Sequence, residues 1–198
     1  MLQQPLQYYE RNLSVPFPYP KCDVLFVPGF PGLAFSAPGL IAVREDVLSS
    51  EQSAESSLWL PTVIAHELSH AWIGGLANIC RADQIEMWLI EALATYVSRT
   101  ALAEIMTDTL AGDALWTGPN AASLPDHAYA GHGAIIKELE LRIGRDAVLA
   151  GLGSFLRRHA HGQATKDDLV DCWSQQSGQD LRRWSAARLH APGGEVQV

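Results

Sequence analysis

The sequence predicts an α+β fold, with a small strand-bearing N-terminal lobe (about residues 1–75) and a mainly helical C-terminal lobe (about 76–198). Three observations carry this. Two short apolar runs, residues 23–27 and 39–43, lie near the start and are bounded by Pro-Gly pairs. From Pro61 onward the apolar residues recur at three- and four-residue spacing, the mark of helices. No internal repeat or low-complexity tract interrupts the 198 residues, which read as a single domain able to bury a sizeable core.

Taken in order, residues 2–13 (LQQPLQYYERNL) read as a short helix, broken before the cluster of Pro16, Pro18 and Pro20. Residues 23–27 (DVLFV) read as a buried strand, ended by Pro28-Gly29 and Pro31-Gly32. A small-residue loop, 33–38, leads to the second strand, 39–43 (GLIAV), and residues 49–57 form a serine-rich connection. Pro61 suits a first helical turn, where its missing N–H has no partner to lose. The helix then runs through Ile73 until Gly74-Gly75 stops it. A turn around Arg81, Ala82 and Asp83 precedes a second helix at 85–102. Residues 110–125 are loop-like, rich in Gly, Pro and Asn. Four amphipathic helices follow at 133–143, 146–159, 165–176 and 179–190, separated by Gly144, Gly162 and Gly178. Arg157, Arg158, His159 and His161 read as the solvated basic end of one of them. Trp59, Trp116, Trp173 and Trp184 read as packing residues.

The formal charge of −8 argues against nucleic acid as a partner and against docking to an anionic membrane, since both need a basic face. The longest apolar stretch, 58–80, carries His66, Glu67 and His70 in its middle and so is not a membrane span. Cys22, Cys80 and Cys172 are far apart and form no C-x-x-C pair, so neither a disulfide framework nor a zinc knuckle is expected. With no cationic, apolar leader at the start, a reduced cytoplasmic protein is the expectation.

The residues with chemistry are concentrated in the first long helix, as His66-Glu67-Leu68-Ser69-His70. Residues four apart share a helix face, so two imidazoles can meet one metal ion, with Glu67 beside them to act on a water that the metal activates. Zinc in a hydrolytic site takes three protein ligands and leaves one position open. Asp83, Glu86 and Glu91 are the candidates for the third. Of these, Glu91 lies within the otherwise apolar run Trp88-Leu89-Ile90-Glu91-Ala92-Leu93, where a carboxylate is costly to bury unless paired or coordinated.

These residues resemble the zinc aminopeptidases of the aminopeptidase N and leukotriene hydrolase type, the gluzincins. That family's pattern is His-Glu-x-x-His-x-Trp-x-Gly followed by Trp-Leu-x-Glu-Gly-Phe-Ala-x-Tyr. Here it stands as His66-Glu67-Leu68-Ser69-His70-Ala71-Trp72-Ile73-Gly74, then Trp88-Leu89-Ile90-Glu91-Ala92-Leu93-Ala94-Thr95-Tyr96. Tyr19-Pro20-Lys21-Cys22-Asp23 is similar to the start of the family's catalytic domain, and Pro38-Gly39-Leu40-Ile41 to the strand after its substrate-binding loop. The resemblance implies a thermolysin-like zincin catalytic domain holding Zn2+ through His66, His70 and Glu91, with Glu67 as general base and a tyrosine to stabilise the oxyanion. Tyr129, just before Gly131-His132-Gly133-Ala134, is the tyrosine the pattern points to, one residue early; His127 and His132 flank it as other donors. Glu86 falls where the family has a non-ligand aspartate and would orient a ligand histidine from behind.

Two departures stand out. The family's substrate-binding loop carries a glutamate for the substrate's free amine, but the aligned stretch here is Leu33-Ala34-Phe35-Ser36-Ala37, with Ser36 at that position and Ala34 and Phe35 beside it. A serine forms no ion pair with an ammonium group, which leaves Glu10, Glu45 or Glu86 as the residues to substitute for that glutamate in space. The resemblance also covers the catalytic domain only, so an open cleft is expected, with a partner chain or second copy of this chain to cover it. The leading reading is a zinc metallopeptidase acting on peptides. A zinc enzyme of the same fold acting on a non-peptide small molecule and a non-catalytic, zinc-stabilised binding module are the competing ones.

Overall fold

In a computed structural model of the protein, which describes residues 2–50, 58–82, 84–106, 115–116 and 127–190, the chain opens with helix α1 (Gln3–Leu13). Its buried residues Pro5, Tyr8, Tyr9 and Leu13 recur at helical spacing and form one face. The helix ends at Ser14, in the left-handed region (φ 51°). The carbonyls left over at that end accept from the Arg157 guanidinium, at 3.0 Å for Leu13 and 3.1 Å for Ser14. Arg157, exposed at the end of its own helix as expected, therefore also serves as a tertiary cap.

Strands β1 (Asp23–Val27), β2 (Ala34–Ala37) and β3 (Leu40–Arg44) form a sheet of order β1-β3-β2, with β1 parallel and β2 antiparallel to β3. Two expectations are corrected here. The stretch read as a loop contains β2, because Pro38-Gly39 closes a two-residue hairpin that brings Ala37 opposite Leu40. Gly39 adopts φ 70°, and a Cβ on it would stand 2.8 Å from the Lys21 carbonyl oxygen. The strand read as buried, β1, is instead an edge strand with Leu25 and Phe26 exposed; the buried positions are Ile41 and Val43 of central β3. An all-apolar run cannot reveal on its own whether both of its faces find cover.

A 3₁₀ turn (Glu45–Ser50) follows, then α2 (Trp59–Ser69), which is buried on nearly every side through Leu60, Val63, Ile64, Ala65 and Leu68. It ends four residues before Ile73. The N–H groups of Ala71 and Trp72 bond to the carbonyls three residues back, Leu68 and Ser69, both at 3.1 Å, so the last turn tightens. Trp72 is completely buried. Its indole N–H donates to the carbonyls of Val15 (3.1 Å) and Pro16 (3.2 Å), while the Tyr9 hydroxyl donates to Ala65 O at 2.7 Å. Those bonds fasten α1 and the proline-rich segment to α2.

A second sheet, order β5-β4-β6, comprises β4 (Ala77–Arg81), β5 (Gln84–Ile85) and β6 (Gly162–Ala164). None of these strands was expected. Arg81 pairs with Gln84 across a turn that contains Ala82 at φ 46°, so the turn falls where it was read but joins two strands. Helix α3 accordingly starts at Met87 and runs to Ile105. The β4–β6 pair is parallel and joins segments some eighty residues apart, and strands of two to five residues are too short to display a period.

The remaining helices are α4 (His127–Ile143), α5 (Arg145–Arg158), α6 (Lys166–Ser177) and α7 (Arg182–Arg188), close to the four expected, with α4 starting six residues earlier. Of the loop read at 110–125, all but 115–116 lies outside the described residues. α3 packs on α1, α2 and α4, while α5 packs on α1 and α6, so one core runs through the whole. The α1–α5 crossing is close: a Cβ on Gly153 would stand 2.0 Å from Leu13 O. α6 is bracketed by a capping box, Thr165 with Asp168, and by Gly178 at φ 69°. Among the described residues no helix is long and apolar enough to cross a membrane.

Candidate metal centre

Where α2 and α3 face one another, His66, His70 and Glu91 converge. His66 Nε2 lies 3.1 Å from Glu91 Oε2 and 3.2 Å from His70 Nε2, and His70 Nε2 lies 3.6 Å from Glu91 Oε1. Ligand atoms about 2.0–2.2 Å from a single tetrahedral zinc ion stand about 3.3–3.6 Å apart. The two imidazole nitrogens and the Glu91 carboxylate, each of whose oxygens faces one histidine, thus lie close to the spacing that one ion requires, and they are the borderline nitrogen and oxygen donors that suit zinc. Local chemistry places them. His70 Nδ1 pairs with the Ile73 carbonyl at 3.2 Å, which makes Nδ1 the protonated nitrogen and leaves the Nε2 lone pair for a ligand. The Ser69 hydroxyl donates to His66 O at 2.7 Å within the last turn of α2.

The electrostatics agree with this geometry. Burial, with the neighbouring His66, lowers the His70 imidazole to about 4, so the ring is neutral near pH 7, the form that binds metal. Burial by itself would raise the Glu91 carboxyl. The hydrogen bond with His66 and the fields of His70, His66 and His132 outweigh it, and Glu91 titrates below its ordinary value. Glu67 is pushed up to about 7, chiefly by burial, with His66 opposing and Glu91 adding to the rise. A carboxyl poised there can both accept and return a proton near neutral pH.

The triad and Glu67 open into a cleft of about 810 Å³. One wall is β2 and its flanks, including Ala34, Phe35 and Ser36, with Phe35 60% exposed at the mouth. β2 is an edge strand, so its outer main-chain groups run along this wall. Ile85, Met87 and Ile90, around the start of α3, also line the cleft, as do Gly75 and Asn78. Gly75 is a fixed requirement, since a Cβ there would stand 2.5 Å from His70 O and 2.9 Å from the Tyr19 hydroxyl.

Among residues singled out from sequence, Glu86 lies at the N-cap of α3. Its N–H donates to Ile79 O (2.8 Å), its carbonyl accepts from Leu89 and Ile90, and its Oε2 is buried with no hydrogen-bond partner among the described residues. Tyr129 falls in the first turn of α4, and its side chain, like that of His127, lies outside the described residues, as does Asp83. His132, one turn further along α4, packs edge-on against Trp88 (centroids 6.5 Å apart, planes at 75°) and acts on the Glu91 charge. Sequence reasoning missed Thr62, Asn78, Ile85 and Met87 as cleft residues. Tyr19 was noted only for its place in a motif. The Gly74-Gly75 pair, read only as a helix stop, was the available signal that the chain passes close to other groups here.

Comparison with known proteins points the same way. The domain described as "Peptidase family M1 domain" matches residues 1–124. Aminopeptidase N of Streptomyces lividans is 26% identical over 98% of this chain and 26% of its own length. Probable aminopeptidase 1 of Sulfurisphaera tokodaii is 26% identical over 96% of this chain and 28% of its own. Endoplasmic reticulum aminopeptidase 1 of Homo sapiens is 25% identical over 84% of this chain and 20% of its own. The chain spans about a quarter of the length of these curated relatives.

Proposed function

The chain belongs to peptidase family M1, and from that premise we propose that it is a zinc-dependent metallopeptidase of thermolysin-like fold, with His66, His70 and Glu91 as ligands and Glu67 as general base. The observation that carries the reading is the convergence of two imidazole nitrogens and the Glu91 carboxylate, at N···N and N···O distances of 3.1–3.6 Å, with Glu67 lining the same cleft. When bound, zinc supplies a Lewis acid that polarises the scissile carbonyl and acidifies a water. Glu67 takes that water's proton and hands it to the departing amine nitrogen, a two-way role that suits its raised pKa. Glu91 and the two neutral imidazoles keep the ligand set at one negative charge, leaving the ion electrophilic. The free edge of β2 supports a peptide as substrate, because an extended main chain can pair with it. Tyr129 is the donor we assign to the oxyanion from α4, with His127 and His132 as the alternative donors. Three free cysteines fit the reducing cytoplasmic setting expected from the sequence.

The test is Glu67→Gln. It should lower the rate of cleavage of quenched-fluorescent peptides by about 10²–10⁴-fold while zinc remains bound one to one, measured by elemental analysis of the dialysed protein. Full activity in Glu67→Gln would remove the general-base assignment, and cleavage that persists after the metal is stripped would remove the metallopeptidase reading itself.

A further inference from the structure

Among the described residues that line the cleft, Tyr19 and Asn78 belong neither to the donor triad nor to the proton transfer assigned to Glu67. Both sit at the Gly74-Gly75 turn, which lines the same cleft just beyond α2. A Cβ on Gly75 would stand 2.9 Å from the Tyr19 hydroxyl, and one on Gly74 would stand 3.9 Å from Asn78 Oδ1. Glycine at both positions therefore keeps a phenol and a carboxamide close to one bare turn of main chain at the cleft surface.

Both groups are held in place before any ligand arrives. Pro16, Pro18 and Pro20 stiffen the segment that carries Tyr19. Phe17 stands edge-on to Tyr19 (centroids 5.6 Å apart, planes at 86°) and packs in turn on buried Trp72 (5.4 Å, 69°). Trp72 is itself tied down by its bonds to Val15 O and Pro16 O, so the phenol ring is positioned from the buried end of α2. Burial raises the Tyr19 hydroxyl above its ordinary pKa, and it stays a donor across the neutral range. Asn78 comes from strand β4, where it lies opposite Gln163 of β6. Groups fixed by regular structure and packed aromatic rings lose little freedom when they bind.

A phenol and a carboxamide are uncharged, and each can both donate and accept a hydrogen bond. That pairing matches a main-chain amide, which presents one N–H and one C=O. We propose, resting on the peptidase reading above, that Tyr19 and Asn78 bind a main-chain amide of the substrate other than the one that is cut. The cleft then prefers a peptide of several residues to a compound whose single amide is the scissile bond, and Tyr19 and Asn78 set that preference.

The experiment titrates the tetrapeptide Leu-Ala-Ala-Ala and, separately, leucine para-nitroanilide into zinc-loaded Glu67→Gln protein by calorimetry. The tetrapeptide should bind tighter. Adding Tyr19→Phe, which keeps the ring and its stacking, or Asn78→Ala should cut the tetrapeptide's advantage over the anilide about 3–10-fold, the factor that ~0.7–1.4 kcal/mol of hydrogen bonding produces. Zinc content should stay the same in both variants. An advantage that survives either substitution, or a parent protein with no preference for the tetrapeptide, overturns the proposal. Loss of zinc in Tyr19→Phe also overturns it, by making the residue a prop of the donor site. Cleavage of the same two compounds by protein with Glu67 intact separates this proposal from the peptidase reading. If Glu67-dependent cleavage occurs but Tyr19→Phe leaves the preference unmoved, the amide site alone fails. If the binding preference depends on Tyr19 and neither compound is cut, the amide site stands and the peptidase reading fails.

Discussion

Zinc should stabilise this fold through Glu91 and not through Glu67, and the size of the effect can be worked out from the site. Two donors, His66 and His70, belong to the end of α2, and the third, Glu91, belongs to α3. One ion therefore ties together two packed helices, and only the native arrangement presents all three donors. A ligand that binds the folded state alone stabilises it by about 2.7 kcal/mol when its concentration is 100 times Kd. For a domain of this size each kcal/mol moves Tm by about 2–4 °C, so saturating zinc should raise the melting temperature of chelator-stripped protein by about 5–11 °C. Glu91→Gln leaves two donors on one helix end and should shrink that rise to about 2 °C or less. Glu67→Gln, which keeps all three donors, should retain it in full. Circular dichroism melts of the three proteins, with and without zinc, decide the matter. An undiminished zinc shift in Glu91→Gln, or its loss in Glu67→Gln, would refute the assignment of the donors.

Two further outcomes test the frame around the site. Gly153→Ala puts a methyl group 2.0 Å from Leu13 O, a main-chain atom that cannot swing aside, so α1 and α5 must move apart. The variant should lose about 1–3 kcal/mol in urea denaturation, and unchanged stability would show that the crossing is looser than described. Asp168 accepts from the Thr165 N–H (2.8 Å) and hydroxyl (2.7 Å), which hold its carboxyl below the ordinary value. A carboxyl depressed in the folded state stabilises above its unfolded pKa, about 3.9, and that contribution fades as the pH falls through the lower folded value. Asp168→Ala should therefore cost about 0.5–2 kcal/mol near neutral pH, with a difference from the parent protein that narrows as the pH falls below the unfolded value of about 3.9; a gap in urea midpoints that is constant with pH would contradict the capping box.

Much of the site could be read along the chain because its geometry is local. His66 and His70 share a face through helical periodicity alone, and Glu91 is conspicuous as a carboxylate within an apolar helical run. The four C-terminal helices were legible for the same reason, through periodic burial separated by glycines. What escaped depends on partners distant in sequence. The β4–β6 pairing joins Ala77 to Gly162, and a three-residue strand has no period to read. β2 was hidden because its small residues resemble a loop until the Pro38-Gly39 turn lays it against β3.

The sequence by itself pointed to His66, Glu67 and His70, which one helical turn groups together, and the family resemblance added Glu91 on the next helix. Ser36, in place of an acidic residue, was visible there too. Only the tertiary structure decided what surrounds the donors. It brought β2 to α2 and gathered Phe35, Ile85 and Met87 around one cleft. It also gave Arg157, exposed at its own helix end, a second role as the cap of α1. Those relations arise from packing between segments far apart in the chain, where burial and hydrogen-bond satisfaction choose the partner and no local pattern records the choice.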